Sequence, residues 1–182
     1  RWDFHKGSFM LGYEFQRDMQ DKTINKPTSV TGKFYDRNVH SLFGQVAYDF
    51  TQATQANLNF RQTWTEADDA GNKYDKFTPE FVLMHHFDEN TMVYGKVGQS
   101  FMLPTFTQLY GGGNIHGVPG LKPEKGIHYE LGAKKSIGKN AYRVALYSYK
   151  IEDFIDANTK KWPDITYQNS DVKNTGIEID WT

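Results

Sequence analysis

Cysteine is absent from the 182 residues, which removes disulfide scaffolds and thiolate metal sites while fitting many compartments. Long apolar runs are missing too: no segment approaches the roughly 18 consecutive residues of a membrane helix. That excludes helical spans, but not strands that show lipid only every second side chain and so escape hydropathy scans. Neither sign of charge is in excess. The 21 Lys and Arg stand against 22 Asp and Glu, so charge alone signals no nucleic acid or anionic surface as a partner. No leader peptide is seen at the start, and RWDFHKG reads as the interior of something already folded. A mean hydropathy of −0.70 looks like a polar soluble protein, long enough for one domain with a full core. What the chain has in quantity is aromatic residues, led by 13 Phe and 11 Tyr, a composition that suits strands and interfacial girdles.

Helical periodicity is weak and period-two alternation is strong. In SFMLGYEFQRD, Phe9, Leu11, Tyr13 and Phe15 share one face and Gly12, Glu14 and Gln16 the other, with Met10 out of place. In LFGQVAYDF, Leu42, Val46, Tyr48 and Phe50 oppose Gln45 and Asp49, with Phe43 as the exception. In NLNFRQTWT, Leu58, Phe60 and Trp64 alternate with Asn57, Asn59, Arg61, Thr63 and Thr65, and Gln62 intrudes. PEFVLMHHF is apolar on both faces, and TMVYGKVGQSF sets Val93, Gly95 and Val97 against Met92, Tyr94 and Lys96. The expected strands are 8–18, 38–50, 56–66, 76–87, 91–101, 126–137, 141–153 and 167–182. All exceed the roughly 5–6 residues usual in soluble sheets and reach the roughly 9–11 that a tilted spanning strand needs.

The connections sharpen this. HKG, TQATQ, DEN and GKN are short and turn-like. Long links are expected at 19–37, 67–75, 102–125 and 154–166, alternating with the short ones. An antiparallel up-and-down transmembrane β-barrel has that order, with short turns at one membrane face and long loops at the other. A soluble sandwich with crossing connections has no reason to segregate its loops. The fold class is therefore all-β, a barrel wall of about eight strands. Its apolar face should meet lipid, and Glu14, Gln45, Asp49, Asn57, Asn59 and Arg61 should face a hydrated interior.

Catalytic and metal chemistry find no anchor. His85 and His86 are adjacent on a strand, point to opposite faces and cannot chelate one ion together. There is no H-E-x-x-H and no G-x-S-x-G elbow, so the chain is not expected to be an enzyme. Gly111, Gly112, Gly113 and Asn114 lack the following helix and Lys-Ser/Thr of a phosphate cradle. Asp21, Lys22, Lys26, Lys33 and Asp36 give the first long link mixed charge, suited to a hydrated surface or a polar partner such as lipopolysaccharide. Tyr110, Trp162 and Tyr167 flank long links, where aromatics anchor at the interface or stack on a ligand.

The stretch FMLPTFTQLY followed by GVPGLKPEKGIHYELG resembles the late-barrel signature of TonB-dependent outer-membrane receptors. The matching residues are Phe101, Pro104, Thr105, Leu109 and Tyr110, then Leu121, Lys122, Pro123 and Glu124, then Glu130, Leu131 and Gly132. YQNSDVKNTGIEID, with Tyr167, Asn169, Gly176 and Glu178, resembles the family's next strand. Val118, Pro119 and Gly120 depart from its usual Asn-Pro-Asn. The resemblance implies a barrel of about 22 strands filled by an N-terminal plug, importing ferric siderophores, haem or cobalamin with energy from an inner-membrane TonB complex. On that reading residues 1–182 are a partial barrel of later strands, without plug or terminal strands, in the bacterial outer membrane. The implied partners are TonB through the plug, outer-membrane lipid and lipopolysaccharide, and a small iron chelate. No nucleic acid and no resident cofactor or metal are implied. The signature residues Phe101, Pro104, Leu121, Pro123, Glu124, Glu130, Gly132, Asn169, Gly176 and Glu178 are structural. Ligand contact falls to the outer-loop residues His116, Tyr110, Asn114 and Trp162. Haem importers of the family place a histidine between the same two elements, as His116 is here, and imidazole is a common axial ligand. The rival classes are a passive porin, an outer-membrane protease or lipase, and a soluble β-rich binding module.

Overall fold

Alternating apolar and polar side chains settle into strands because only a pleated backbone sends neighbours to opposite faces. The structure, a computed structural model, describes residues 1–26, 29–68, 71–161 and 163–182. In chain order its elements are β1 (Trp2–Phe4), β2 (Gly7–Lys26), β3 (Ser29–Asp49), β4 (Thr54–Thr65), β5 (Asp75–Asp88) and β6 (Thr91–Met102). There follow α1 (Phe106–Tyr110), β7 (Ile115–His116), β8 (Glu124–Ile137), β9 (Asn140–Lys161) and β10 (Asp164–Trp181). All strands form one sheet in the order β1-β2-β3-β4-β5-β6-β8-β9-β10-β7. Every long strand pairs antiparallel with its chain neighbour, so the topology is an up-and-down meander. Each of the eight expected strands has its counterpart.

Register sorts the faces. Phe9, Val46, Leu58, Phe81, Val97 and Tyr129 form one continuous cross-strand row, and directly paired residues share a face. The next row, on the opposite face, is Met10, Gln45, Asn59, Glu80, Gly98 and His128. Glu14, Asp49, Asn57 and Arg61 share that polar face, as expected. The misfits have local causes. Phe43 turns inward because its ring lies over Gly12 and under the Arg61 guanidinium. Gln62 turns outward and donates to the Asp75 carboxylate at 2.6 Å, where the apolar face ends.

The short turns gather at one end. Asp49 N–H donates to the Lys6 carbonyl, His86 N–H to Ala53 and Ser136 N–H to Asn90, at 2.7, 2.8 and 2.9 Å, stitching turn to neighbouring strand. The other end departs from expectation. Residues 19–37 and 154–166 are not long loops. The β2–β3 ladder runs unbroken to Lys26 opposite Ser29, and β9–β10 pairing reaches Lys161 opposite Asp164. Beyond the bilayer the outer face no longer meets lipid, so hydrophobic alternation stops while the backbone ladder continues. The sequence signal therefore ends before the strand does. Of the expected loops, 67–75 and 102–125 remain as connections, and the second carries α1 and β7.

That second connection shows that the sheet curls. The Gly111 carbonyl accepts from Lys22 of β2, while Ile115, four residues on, pairs with Ile165 of β10. Four residues span about 14 Å, whereas seven strand spacings in a flat sheet would separate β2 from β10 by about 34 Å. Residues 103–123 thus cross the inner, polar side of the wall. The buried apolar cluster of Leu109, Leu121 and Ile155 lies there rather than between two layers of sheet.

Candidate functional site: the barrel mouth

Pro104 follows the last residues of β6, and Thr105 starts a helix behind it. The Thr105 hydroxyl accepts from Gln108 N–H, and the Gln108 side chain accepts from Thr105 N–H, a reciprocal cap that stabilises the single turn of α1. The helix buries Phe106 and Leu109. Phe106 and Tyr110 both stack on Tyr35 of β3, with Tyr110 only 4.4 Å away and 5° from parallel. Arg37 lies over the Phe106 ring at 5.1 Å, donates to the Pro104 carbonyl at 3.0 Å and pairs with Asp18 at 2.7 Å. Gln20 donates to the Thr107 hydroxyl. Inward side chains of the β2–β3 ribbon therefore hold the connection across the opening.

Past α1, the backbone turns on itself. Gly111 adopts φ 69°, and Gly112 and Ile115 exchange two backbone hydrogen bonds of 3.0 and 2.9 Å. Gly117 returns so close that a Cβ there would sit 2.3 Å from the Gly111 nitrogen and 2.6 Å from the Leu109 oxygen. The glycines serve this crossing. The amides of Gly112 and Ile115 are spent on each other's carbonyls rather than held open for phosphate.

The return to β8 explains the signature residues. Leu121 packs on Leu109 and Ile155. The Asn169 side chain accepts from Lys122 N–H and donates to the Lys122 and Asp153 carbonyls. The Glu124 carboxylate accepts from Ile155 N–H at 3.0 Å. Pro123 and Phe101 line a crevice facing the 66–74 connection. Deeper in the wall, Arg143 donates to Glu130, Glu178 and Asp180 at 2.7–2.8 Å. The Tyr94 and Tyr147 rings cover Gly132 and Gly176.

Of the outer-loop candidates, Tyr110 is stacked on Tyr35 and its hydroxyl donates to Asp68 at 2.8 Å. Asn114 donates to the Pro163 carbonyl at 2.6 Å. His116 is exposed, with Nε2 3.2 Å from the Asp164 carboxylate. With Asn158, Lys160 and Thr166 this pair borders a cleft of about 530 Å³. Trp162 lies outside the described residues. Tyr167 packs against the buried cluster. No group of three or more His, Asp or Glu side chains converges for a metal among the described residues. The sequence reading missed Asp18, Tyr35, Arg37 and Asp68. The first three continue the period-two pattern of β2 and β3 past its hydrophobic part, and that continuation was the available signal.

Burial, and then the hydrogen bond to Asp68, push the Tyr110 phenol well above its usual range. The attached loop thus favours the protonated phenol. Its stabilisation is complete below the ordinary tyrosine value of about 10 and is lost as pH rises through the higher value of the attached state. Loop attachment, followed by fluorescence of a label at residue 113, should stay flat to about pH 10 and fall above it. Tyr110→Phe should weaken attachment by about 1–2 kcal/mol and remove the alkaline decline.

A meandering antiparallel wall, greasy outside and hydrated inside, with one connection folded across its opening, is an arc of a transmembrane β-barrel. The whole of residues 1–182 matches the family described as TonB dependent receptor-like, beta-barrel, and the chain belongs to that family of transport receptors. Among solved structures it is similar to the copper transporter OprC, at TM-score 0.76 and 15% identity over 100% of this chain and 33% of that one. It is likewise similar to the siderophore receptor PirA from Acinetobacter baumannii, at TM-score 0.73 and 16% identity over 95% and 31% of the two chains. A Serratia marcescens hemophore receptor, HasR, solved with its hemophore HasA and heme, gives TM-score 0.68 and 15% identity over 97% and 36%. The chain spans about a third of the length of these structures.

Proposed function

We propose that these residues form part of the wall and the outer mouth of a bacterial outer-membrane receptor that actively imports an iron complex, a ferric siderophore first among the candidates. Energy comes through TonB acting on a plug supplied by another part of the receptor, and the apolar face contacts membrane lipid. Family membership supports active transport, and one observation carries the reading: residues 103–123 are pinned across the inner side of the mouth. A connection fixed across the mouth by Arg37, Gln20 and Lys22 gives the opening the defined shape that capture of a cargo needs. Uptake of a radiolabelled ferric siderophore by cells expressing the full receptor should cease when a protonophore collapses the proton-motive force. Undiminished uptake would make it a passive pore.

One observation favours a second reading, haem uptake: His116 stands exposed at the rim beside a cleft. On that reading His116→Ala lowers haem affinity and shifts the Soret band of the complex. An unchanged spectrum leaves the siderophore reading alone.

A further inference from the structure

The outer face of the wall is uneven in a way that the transport function does not use. Gly95 of β6 stands directly between Leu83 and Leu131 on the neighbouring strands, and nothing lies within 4 Å of where its Cβ would be. A groove of about 840 Å³ opens there, bordered by Leu146 and Ile177 further along the sheet. Its polarity changes in order along the strands. One row above Leu146 and Ile177, Ser148 and Thr175 face each other and share a hydrogen bond of 3.0 Å. The row above that pairs Lys150 directly with Lys173, and Lys125 stands on the same face two residues beyond Ile127.

Two lysines placed opposite each other on one face repel. Lys150 is partly compensated by Glu152 at 2.8 Å, and the Asp171 carboxylate on the same border accepts from Asp153 N–H. Lys125 stands directly opposite Glu152 on the neighbouring strand and is attracted to it, so the three lysines share the two carboxylates of Glu152 and Asp171. The border differs across the wall: on β2–β5 it carries Arg17 against the carboxylates of Asp36, Glu66 and Asp75. Surplus positive charge sits over the groove and not elsewhere along the described border.

We propose that this groove holds one phosphorylated membrane lipid: an acyl chain over Gly95, the ester or sugar portion beside Ser148 and Thr175, and the phosphate at Lys125, Lys150 and Lys173. The order of hydrocarbon, hydroxyl and ammonium along the strands is that of an amphiphile lying along the wall, and the anion relieves the Lys150–Lys173 repulsion. This inference rests on the membrane placement of the strands. The test uses the full receptor equilibrated in mixed phosphatidylglycerol and phosphatidylcholine vesicles, re-extracted in mild detergent and examined by native mass spectrometry. One phosphatidylglycerol should be retained in preference to phosphatidylcholine. Lys150→Gln with Lys173→Gln should cut that preference by about tenfold. Gly95→Leu, which fills the open space, should lower retention of both lipids. Equal retention of the two lipids, or a preference untouched by the lysine changes, overturns the proposal. So does a dimer that disappears in Gly95→Leu, which would make the groove an interface between copies. A receptor that never enters the vesicles overturns the membrane placement itself, an outcome distinct from the others.

Discussion

Arg37→Met should release the mouth connection while leaving the wall intact. The Arg37 side chain is 5% exposed and its partner Asp18 24% exposed, so removing the cation leaves a largely enclosed carboxylate with the Gln16 amide as its remaining side-chain donor. Breaking such a pair costs about 3–5 kcal/mol. Methionine keeps the bulk of the aliphatic stem, while the guanidinium contact with the Phe106 ring is lost together with the ion pair. The Pro104 carbonyl loses its donor as well. The backbone ladder of β2 and β3 involves no Arg37 side-chain atom, so the strands stay paired. The unpaired Asp18 favours opening of the connection that covers it, and residues 103–123 also lose the Pro104 and Phe106 contacts. Hydrogen exchange at the amides of Leu109 and Val118, bonded to Thr105 and Gln108, should accelerate by about a hundredfold or more. Amides in β4 and β5 should not change. If Leu109 and Val118 keep their protection, Arg37 is not what holds the connection.

Gly117→Ala should have an effect of similar size by a different route. The added methyl would meet three backbone atoms at 2.3–2.6 Å, and backbone held in a turn yields far less readily than a side chain. Overpacking of this kind costs about 1–3 kcal/mol or more, and relief requires the two limbs of the turn at Gly111 and Gly117 to part. Gly113→Ala is the matched control. Gly113 has φ 61° but open space around its Cβ position, so the substitution costs only the left-handed strain of about 1–2 kcal/mol. Limited proteolysis of the receptor in detergent should cut Gly117→Ala within residues 103–123 well before Gly113→Ala. Equal cutting rates would show that the close approach does not govern the loop.

Much of the wall was legible in the sequence. Phe9, Leu11, Tyr13 and Phe15 announce both a strand and the side on which it meets lipid, because burial on one face imposes period two. The signal fails where that cause is absent. From Met19 to Lys26 and from Phe154 to Lys161 the period-two hydrophobic alternation is lost, so composition looks like a loop although pairing persists. Turn chemistry announced the interruption after β6, and the Thr105-x-x-Gln108 spacing is a readable helix start. What holds that segment down was not readable. Gln20 meets Thr107 across 87 positions of sequence, and only the curl of the sheet brings them together. His116 was picked out as a residue, but Asp164 as its neighbour follows from β7 joining β10, a pairing of two residues that no periodicity can register.

That brief parallel pairing has a consequence for assembly. Ile115 and His116 occupy the free edge of β10 at Ile165 and Thr166, filling hydrogen-bonding positions that another strand would otherwise take. Any strand added beside β10 must stop short of this point, so the rim dips at the side of β10 away from β9. The same two residues shield the part of that edge that stands in water, where an unpaired ladder would recruit stray chains.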